Sequence, residues 1–486
     1  MYKRVIGLLG IFLIFAAVAL LVPLALALAF GEKDCVRAFL CAIALSAIPG
    51  LIIRYRYRNT NIKMHATKDK YLVVTMCWIV IPFVASIPFL ITKDIANPFD
   101  AFFEMCSGFS TTGATILTDI ESLPRSLLFW RSMTQWVGGM GIIVLVTALL
   151  PSIGVKAQQI ASAETPGLNV TKLTSRFSGT AQRLYIAYIV LSAALVVLLM
   201  FGGMDLYDAV THTFTAMATG GFSPYADSIA HFHSTYIMWV LTIFMFLAGT
   251  NFNLFFVAVF DGFKKAVSDE EFRAYLIWTL IATALVTASL MISGGYHNFW
   301  RALTDSAFHI STLISTTGFS TQDYTLWPAF SQIVILLVML TGASSSSTAG
   351  GIKMVRVTLA LKMIKHDIKT LTHDKLIDKI KLNGKPIDSE TLTYIVTFVS
   401  FFFVTLFAGL ILISFDGFDF LTNLSAVITC LSNVGPGLGQ VGPASNFSAY
   451  SSFSKLLLSF IMIAGRLELT TVFVLFSSRY WNSNAA

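Results

Sequence analysis

The chain has 486 residues, 56% of them hydrophobic and only 12% charged, with a mean hydropathy of +0.74 and a formal net charge of +7. Soluble globular domains carry about 25% charged residues, so the composition excludes an ordinary soluble protein. Continuous rather than alternating apolar runs argue against a β-barrel, and the basic balance reads as cytoplasmic loops of a membrane protein, not nucleic-acid binding. The sequence predicts an all-α polytopic membrane protein.

From the N-terminus, Val5–Phe30 is too long for the ~7–15-residue apolar region of a signal peptide and lacks a clear small-residue cleavage site, so it is read as a retained helix. Val36–Ile53 forms a second span, and Arg54–Lys70 a loop with six Lys/Arg, closing an N-terminal segment at residues 1–70. The five cysteines (Cys35, Cys41, Cys77, Cys106, Cys430) show no C-x-x-C spacing and are read as packing residues.

The rest of the chain writes one unit four times. "STTGAT", "MATGGF", "STTGFS" and "SNVGPG" carry Gly113, Gly220, Gly318 and Gly435, spaced 107, 98 and 117 residues apart. Each copy follows a lead of about a dozen residues ("PFDAFFEMCSGF", "LYDAVTHTFTAM", "RALTDSAFHISTLI", "DFLTNLSAVITCL"), too short to cross a bilayer at 1.5 Å per residue. These leads read as re-entrant half-helices, because irregular backbone at membrane depth survives only where protein buries it or it lines an aqueous cavity. The predicted spans are Tyr71–Ile91 and Ser126–Leu150, Leu184–Gly202 and Thr235–Phe260, Ala274–Ile292 and an interrupted Trp327–Lys365, and Leu392–Ser414 and Ser451–Tyr480. The units are 71–180, 181–272, 273–390 and 391–486; with the N-terminal pair they make ten spans and four re-entrant helices around a central pore.

Basic residues cluster in Arg54–Lys70 and from Lys353 to Lys385, whereas the re-entrant side carries Asp94, Asp119, Glu121, Asp205, Asp227, Asp323 and Asp416. The positive-inside rule and the even span count both place the termini in the cytoplasm and open the pore loops outward.

Rings of backbone carbonyls can replace the hydration shell of a monovalent cation, and glycine admits the backbone angles that aim successive carbonyls one way. The candidate filter residues are Thr111, Thr112 and Gly113; Thr219 and Gly220; Thr316, Thr317 and Gly318; and Val434 and Gly435. The half-helices would direct their partly negative C-termini at the same cavity. Four such loops in one chain resemble the Trk/Ktr/HKT superfamily of potassium transporters over essentially the whole length. The two added N-terminal spans resemble its bacterial Trk membrane subunits more than the shorter Ktr form. Glycine in all four copies implies, on that resemblance, potassium preference with rubidium accepted. The fourth copy departs from the pattern as Asn433-Val434-Gly435-Pro436, which puts exact fourfold coordination in doubt.

Inside the third unit, "TGASSSSTAGGIK" (Thr341–Lys353) has poor helix propensity at membrane depth and predicts a broken helix beneath the filter. The resemblance implies that this loop, Gly342, Ala343, Ser344, Ser345, Ser346, Ser347, Thr348, Ala349, Gly350 and Gly351, obstructs the pore as a gate. Arg466 and Glu468 lie deep in the last span, two positions apart and so on different faces, which disfavours direct pairing. Arg466 is expected to face the pore below the filter, where it would limit cation occupancy or meet the gate loop. Asn251 and Asn253 are read as interhelical bonding groups, Trp136–Gly141 as a packing face, and His212 and His309 as structural. The Asn169 sequon falls in a predicted cytoplasmic loop, so glycosylation there is not expected, and that at Asn446 means nothing in a bacterial source.

These readings predict potassium uptake across a bacterial cytoplasmic membrane, with potassium as the bound and transported ion, no organic cofactor and no enzymatic activity. No GxxxxGK[ST] or H-E-x-x-H motif occurs. The resemblance implies a homodimer and a cytoplasmic TrkA-like nucleotide-binding ring acting near Lys353–Lys385, beside membrane lipid and without nucleic acid. The alternatives are a symporter coupled to protons or sodium and the channel-like subunit of an ATP-driven pump.

Overall fold

The computed structural model describes residues 2–57, 67–141, 177–372 and 379–481. Among the described residues, six helices are long and apolar enough to cross a bilayer: Val5–Phe30, Lys33–Arg56, Tyr71–Thr92, Arg183–Phe201, Glu270–Ile292 and Ser389–Asp416. The first two pack through Gly10 and Gly50, where a Cβ on either would meet the other's carbonyl oxygen at 3.1 and 3.0 Å. Small residues permit such close approach between membrane helices.

Four shorter helices, Pro98–Phe109, Leu206–Met217, Phe299–Ile314 and Phe420–Ser432, are the re-entrant elements. Each begins on a side-chain cap: Asn97 accepts from Phe99 N, Asp205 from Asp208 N, Asn298 from Trp300 N and Asp419 from Thr422 N. These caps satisfy orphan N–H groups and set where each helix starts. The Thr422 hydrogen bond holds the Asp419 carboxyl below its usual range, keeping it an ionised acceptor. Residues on these helices are buried almost throughout, while Leu51, Leu280 and Val404 on the outer spans are exposed, as a lipid-facing belt requires.

Among the described residues, the second helix of a unit breaks beneath its pore loop in three places, whereas the sequence predicts only the break in unit three. In unit two, Thr235–Ala248 and Asn253–Asp261 meet at 96°, so Thr235–Phe260 is not one straight span. Asn251 accepts from Asn253 N at 3.0 Å, so it serves a local turn rather than a neighbouring helix. The freed backbone is satisfied from unit three, with Ser344 N donating to Gly249 O and Phe252 N to Ser346 O. In unit four, Ser452–Arg466 and Leu469–Phe476 meet at 115°, with Glu468 in the left-handed region at φ 59°. Unit three runs from Ala329–Thr341 through a loop to Met354–Thr372. Unit one's second helix, Arg125–Gly139, ends before Gly141 at φ 80°; the remainder of Ser126–Leu150, most of the first basic loop and Asn169 lie outside the described residues.

Candidate functional site: a four-loop ring and the segment beneath it

Each re-entrant helix ends in the same way. Thr111, Thr219, Thr316 and Asn433 adopt φ of 56, 57, 59 and 55°. The next N–H, from Thr112, Gly220, Thr317 and Val434, reaches back to the carbonyls of Ser107, Thr215, Thr312 and Thr429 at 2.9, 2.8, 2.7 and 2.9 Å. This is a Schellman-type stop, with a β-branched residue at the left-handed position in three of the four loops. Each such threonine costs about 1 kcal/mol or more in conformational strain, which surrounding contacts must offset. Asn433, the departure in the fourth copy, takes the same backbone geometry without the β-branch.

One residue further on, Gly113, Gly221, Gly318 and Gly435 all have positive φ, 81, 75, 86 and 97°. The left-handed glycine of unit two is therefore Gly221, one position later than the sequence reading; Gly220 stands where the other loops have Thr112, Thr317 and Val434. The shift follows from the Schellman stop, which counts two residues from Thr219.

These glycines close a ring. A Cβ built on Gly113 would lie 2.0 Å from Gly220 O, one on Gly221 2.0 Å from Thr317 O, one on Gly318 2.3 Å from Val434 O, and one on Gly435 2.5 Å from Thr112 O. Loop one thus abuts loop two, two abuts three, three abuts four and four returns to one. All four glycines line one cavity on the face from which the re-entrant helices enter. The sequence-predicted residues Thr111, Thr112, Gly113, Thr219, Gly220, Thr316, Thr317, Gly318, Val434 and Gly435 are all in this assembly.

A polar side chain on each re-entrant helix braces the segment leaving its loop. Glu104 accepts from Thr115 Oγ1 and Ile116 N, both at 3.0 Å. His212 bonds Ser223 Oγ at 3.2 Å, His309 accepts from Thr321 N at 3.5 Å, and Ser425 Oγ accepts from Leu438 N at 2.9 Å. The two histidines are also tied to their own helix at Asp208 O and Asp305 O, a structural role as expected. Glu104 is fully buried and paired with Arg131 Nη2 at 2.8 Å; Arg131 in turn donates to Ser223 O and lies over the Phe222 ring at 4.1 Å. That ion pair ties loop one to loop two.

The loop 342–351 crosses beneath the ring, meets units two, three and four directly, and is linked to unit one through Arg466. Gly350 N donates to Thr316 Oγ1 at 2.9 Å, and a Cβ on Gly350 would fall 2.0 Å from Ser432 O. Thr348 Oγ1 donates to Met217 O at 3.1 Å and Ala248 O at 3.3 Å. Arg466 joins Thr348 O, at 2.5 Å, to the carbonyls of Gly138, at 3.0 Å, and Gly139. The glycines of Trp136–Gly141 pack as expected, Gly138 against Phe109 and Gly139 against Ala218, and their carbonyls also anchor Arg466. Ser345 is clasped by Glu271, whose carboxylate accepts from its N–H at 2.5 Å and its hydroxyl at 2.7 Å. Glu468 binds Arg356 at 2.5 Å and accepts from Tyr394 OH at 2.8 Å, and Arg356 sits over the Phe398 ring at 3.9 Å. Lys353 donates to Ala349 O, closing the loop's exit.

Glu104, Arg131, Gln135 and Glu271 were not singled out from sequence. The first was visible in principle, as a carboxylate inside the otherwise apolar stretch "AFFEMC"; such a group at membrane depth needs a partner. Glu271 looks like one of three acids opening a helix, and only its distant partner, Ser345, distinguishes it.

Comparison with known proteins agrees with this architecture. A family model described as TrkH, cation transport protein, matches residues 35–483. The Trk system potassium uptake protein TrkH of Escherichia coli K12 is 32% identical over 483 residues, covering 99% of both chains. TrkG of the same strain is 32% identical over 472 residues, covering 96% of each. The crystal structure of the potassium transporter TrkH from Vibrio parahaemolyticus superposes with a TM-score of 0.89 at 29% identity, over 99% of this chain and 100% of that one. The chain is a multi-pass membrane protein that belongs to the TrkH family of cation transport proteins.

Proposed function

We propose that the protein carries potassium into the cell across the bacterial cytoplasmic membrane, through a gated pore that accepts rubidium and discriminates against sodium. The observation that supports this most is the closed ring in which each loop's glycine abuts a carbonyl of the next. A ring of main-chain oxygens is suited to a dehydrated monovalent cation, and four helix C-termini converge on it with partly negative ends. At 100 mV inside negative, each inward charge gains about 2.3 kcal/mol, so accumulation needs no nucleotide site on this chain.

In this reading the loop 342–351 is the gate, drawn closed by its bonds to units two, three and four, and Arg466 is the charged pin that links it to unit one. A cytoplasmic TrkA-like nucleotide-binding ring would act through the segment after Met354, with two copies of the chain forming the dimer it meets. The short hairpin Lys381–Pro386 supports such a route. Asn383 exchanges main-chain and side-chain hydrogen bonds with Glu270 and Asp269, one and two residues before the clasp at Glu271. The test is rubidium tracer uptake into liposomes under an inward-driving potential. Uptake blocked by potassium and not by equal sodium supports the reading; uptake blocked equally by both contradicts it.

A further inference from the structure

Three loops of the ring place a side chain just before the left-handed glycine. Thr112 bonds Ser110 at 2.7 Å and receives Asn433 Nδ2 at 2.9 Å, Thr317 bonds Ser315 at 2.8 Å, and Val434 is fully buried. The second loop has Gly220 there and nothing of its own to pack. The space is nevertheless filled. The side-chain amide of Gln135, from the helix after loop one, stands with its carbon 2.4 Å from where a Gly220 Cβ would be. Its Nε2 donates to Gly220 O at 2.7 Å, and its Oε1 accepts from Phe222 N at 3.0 Å. One fully buried amide therefore grips the main chain on both sides of Gly221.

We infer that Gln135 is a positioning residue that supplies, from the neighbouring unit, the support loop two lacks, and that it sets the discrimination between potassium and sodium. This rests on the reading of the ring as a cation filter. Gly220 O is also the oxygen against which Gly113 is seated, so the tether acts at the seam of loops one and two. A smaller cation needs the surrounding oxygens to move inward, and selectivity depends on how far they can follow and on their field strength. Gln135 opposes both: it restrains Gly220 O and shares that oxygen's electron density through a hydrogen bond. The glycine and the glutamine are a matched pair, since a side chain at 220 would collide with the amide.

The test measures potassium-to-sodium permeability ratios, each normalised to the variant's own potassium flux, for wild type, Gln135→Leu, Gln135→Glu and Gly221→Ser. Gln135→Glu retains the acceptor for Phe222 N and, when ionised, loses the donor to Gly220 O. Both Gln135 variants are expected to lower the ratio by roughly five- to tenfold, about the worth of one hydrogen bond. Gly220→Thr should lose flux in the wild-type background and regain it with Gln135→Ala, because a threonine there needs the volume of the amide. If Gly221→Ser loses discrimination while both Gln135 variants keep the wild-type ratio, the inference is overturned and the filter reading stands. If Gly221→Ser also keeps it, the filter reading fails and takes this inference with it. Failure of both Gln135 variants to fold would overturn it too, making the residue a stability element.

Discussion

The guanidinium of Arg466 reaches the main-chain carbonyl of Thr348 at 2.5 Å and with its other arm holds Gly138 O at 3.0 Å. It thereby joins the intramembrane loop of unit three to the broken helix of unit four and to the Arg125–Gly139 helix of unit one. Hydrogen bonds to a charged donor contribute about 1.5–3 kcal/mol each, so these bonds weigh heavily in whether the loop stays across the axis. Arg466→Ala should raise basal rubidium uptake at least tenfold in liposomes holding the chain alone. Uptake no higher than wild type, in protein with a normal elution profile, would contradict the proposed part of Arg466 in a gate.

Glu271 tests the same loop from the opposite side. It accepts two hydrogen bonds from Ser345, and Ser345→Ala removes only the hydroxyl one. Glu271→Gln, which replaces one of the two acceptor oxygens with an amide N–H group that cannot accept, should raise basal uptake, and Ser345→Ala should raise it less. The order is read from initial uptake rates. Equal rates in both variants and wild type would mean that the clasp is not broken on opening.

How much of this was legible before the fold was known depended on the range of the interaction concerned. The four units announce themselves locally, through short helical leads stopped by Thr-Gly or Val-Gly, and the low helix propensity of Thr341–Lys353 marks one break. The register of loop two does not. Gly220 and Gly221 are equally permissive residues, and the choice between them is made by the stop at Thr219 and by Gln135, 85 residues away. The breaks after Ala248 and Arg466 were missed for the same reason. Nothing in "AGRLELTT" forbids a helix; the left-handed Glu468 is instead accompanied by ion pairing to Arg356, 112 residues away. The partner of Glu468, unreadable in sequence, is that arginine.

The Glu104–Arg131 pair carries a stability prediction. Both side chains are almost completely buried, and removing one partner of such a pair typically costs about 3–5 kcal/mol because the other charge is stranded. Glu104→Gln and Arg131→Gln should each lower the thermal unfolding midpoint in detergent, and the double variant should lose less than the two singles combined. Strictly additive losses would show that the two groups act independently. Because Arg131 also holds Ser223 O, at 3.3 Å, its variant should weaken potassium-to-sodium discrimination as well.

The measurement that bears most directly on the whole account is ion discrimination across the glycine ring, comparing wild type with Gly113→Ser, Gly221→Ser, Gly318→Ser and Gly435→Ser. Each introduced Cβ falls within 2.5 Å of a carbonyl oxygen of the adjacent loop, so all four substitutions disturb one shared structure. Rubidium uptake by wild type is expected to be displaced by potassium and not by equal sodium, and every variant, wherever flux survives, is expected to lose part of that preference. Folded variants that transport with undiminished preference would contradict that expectation.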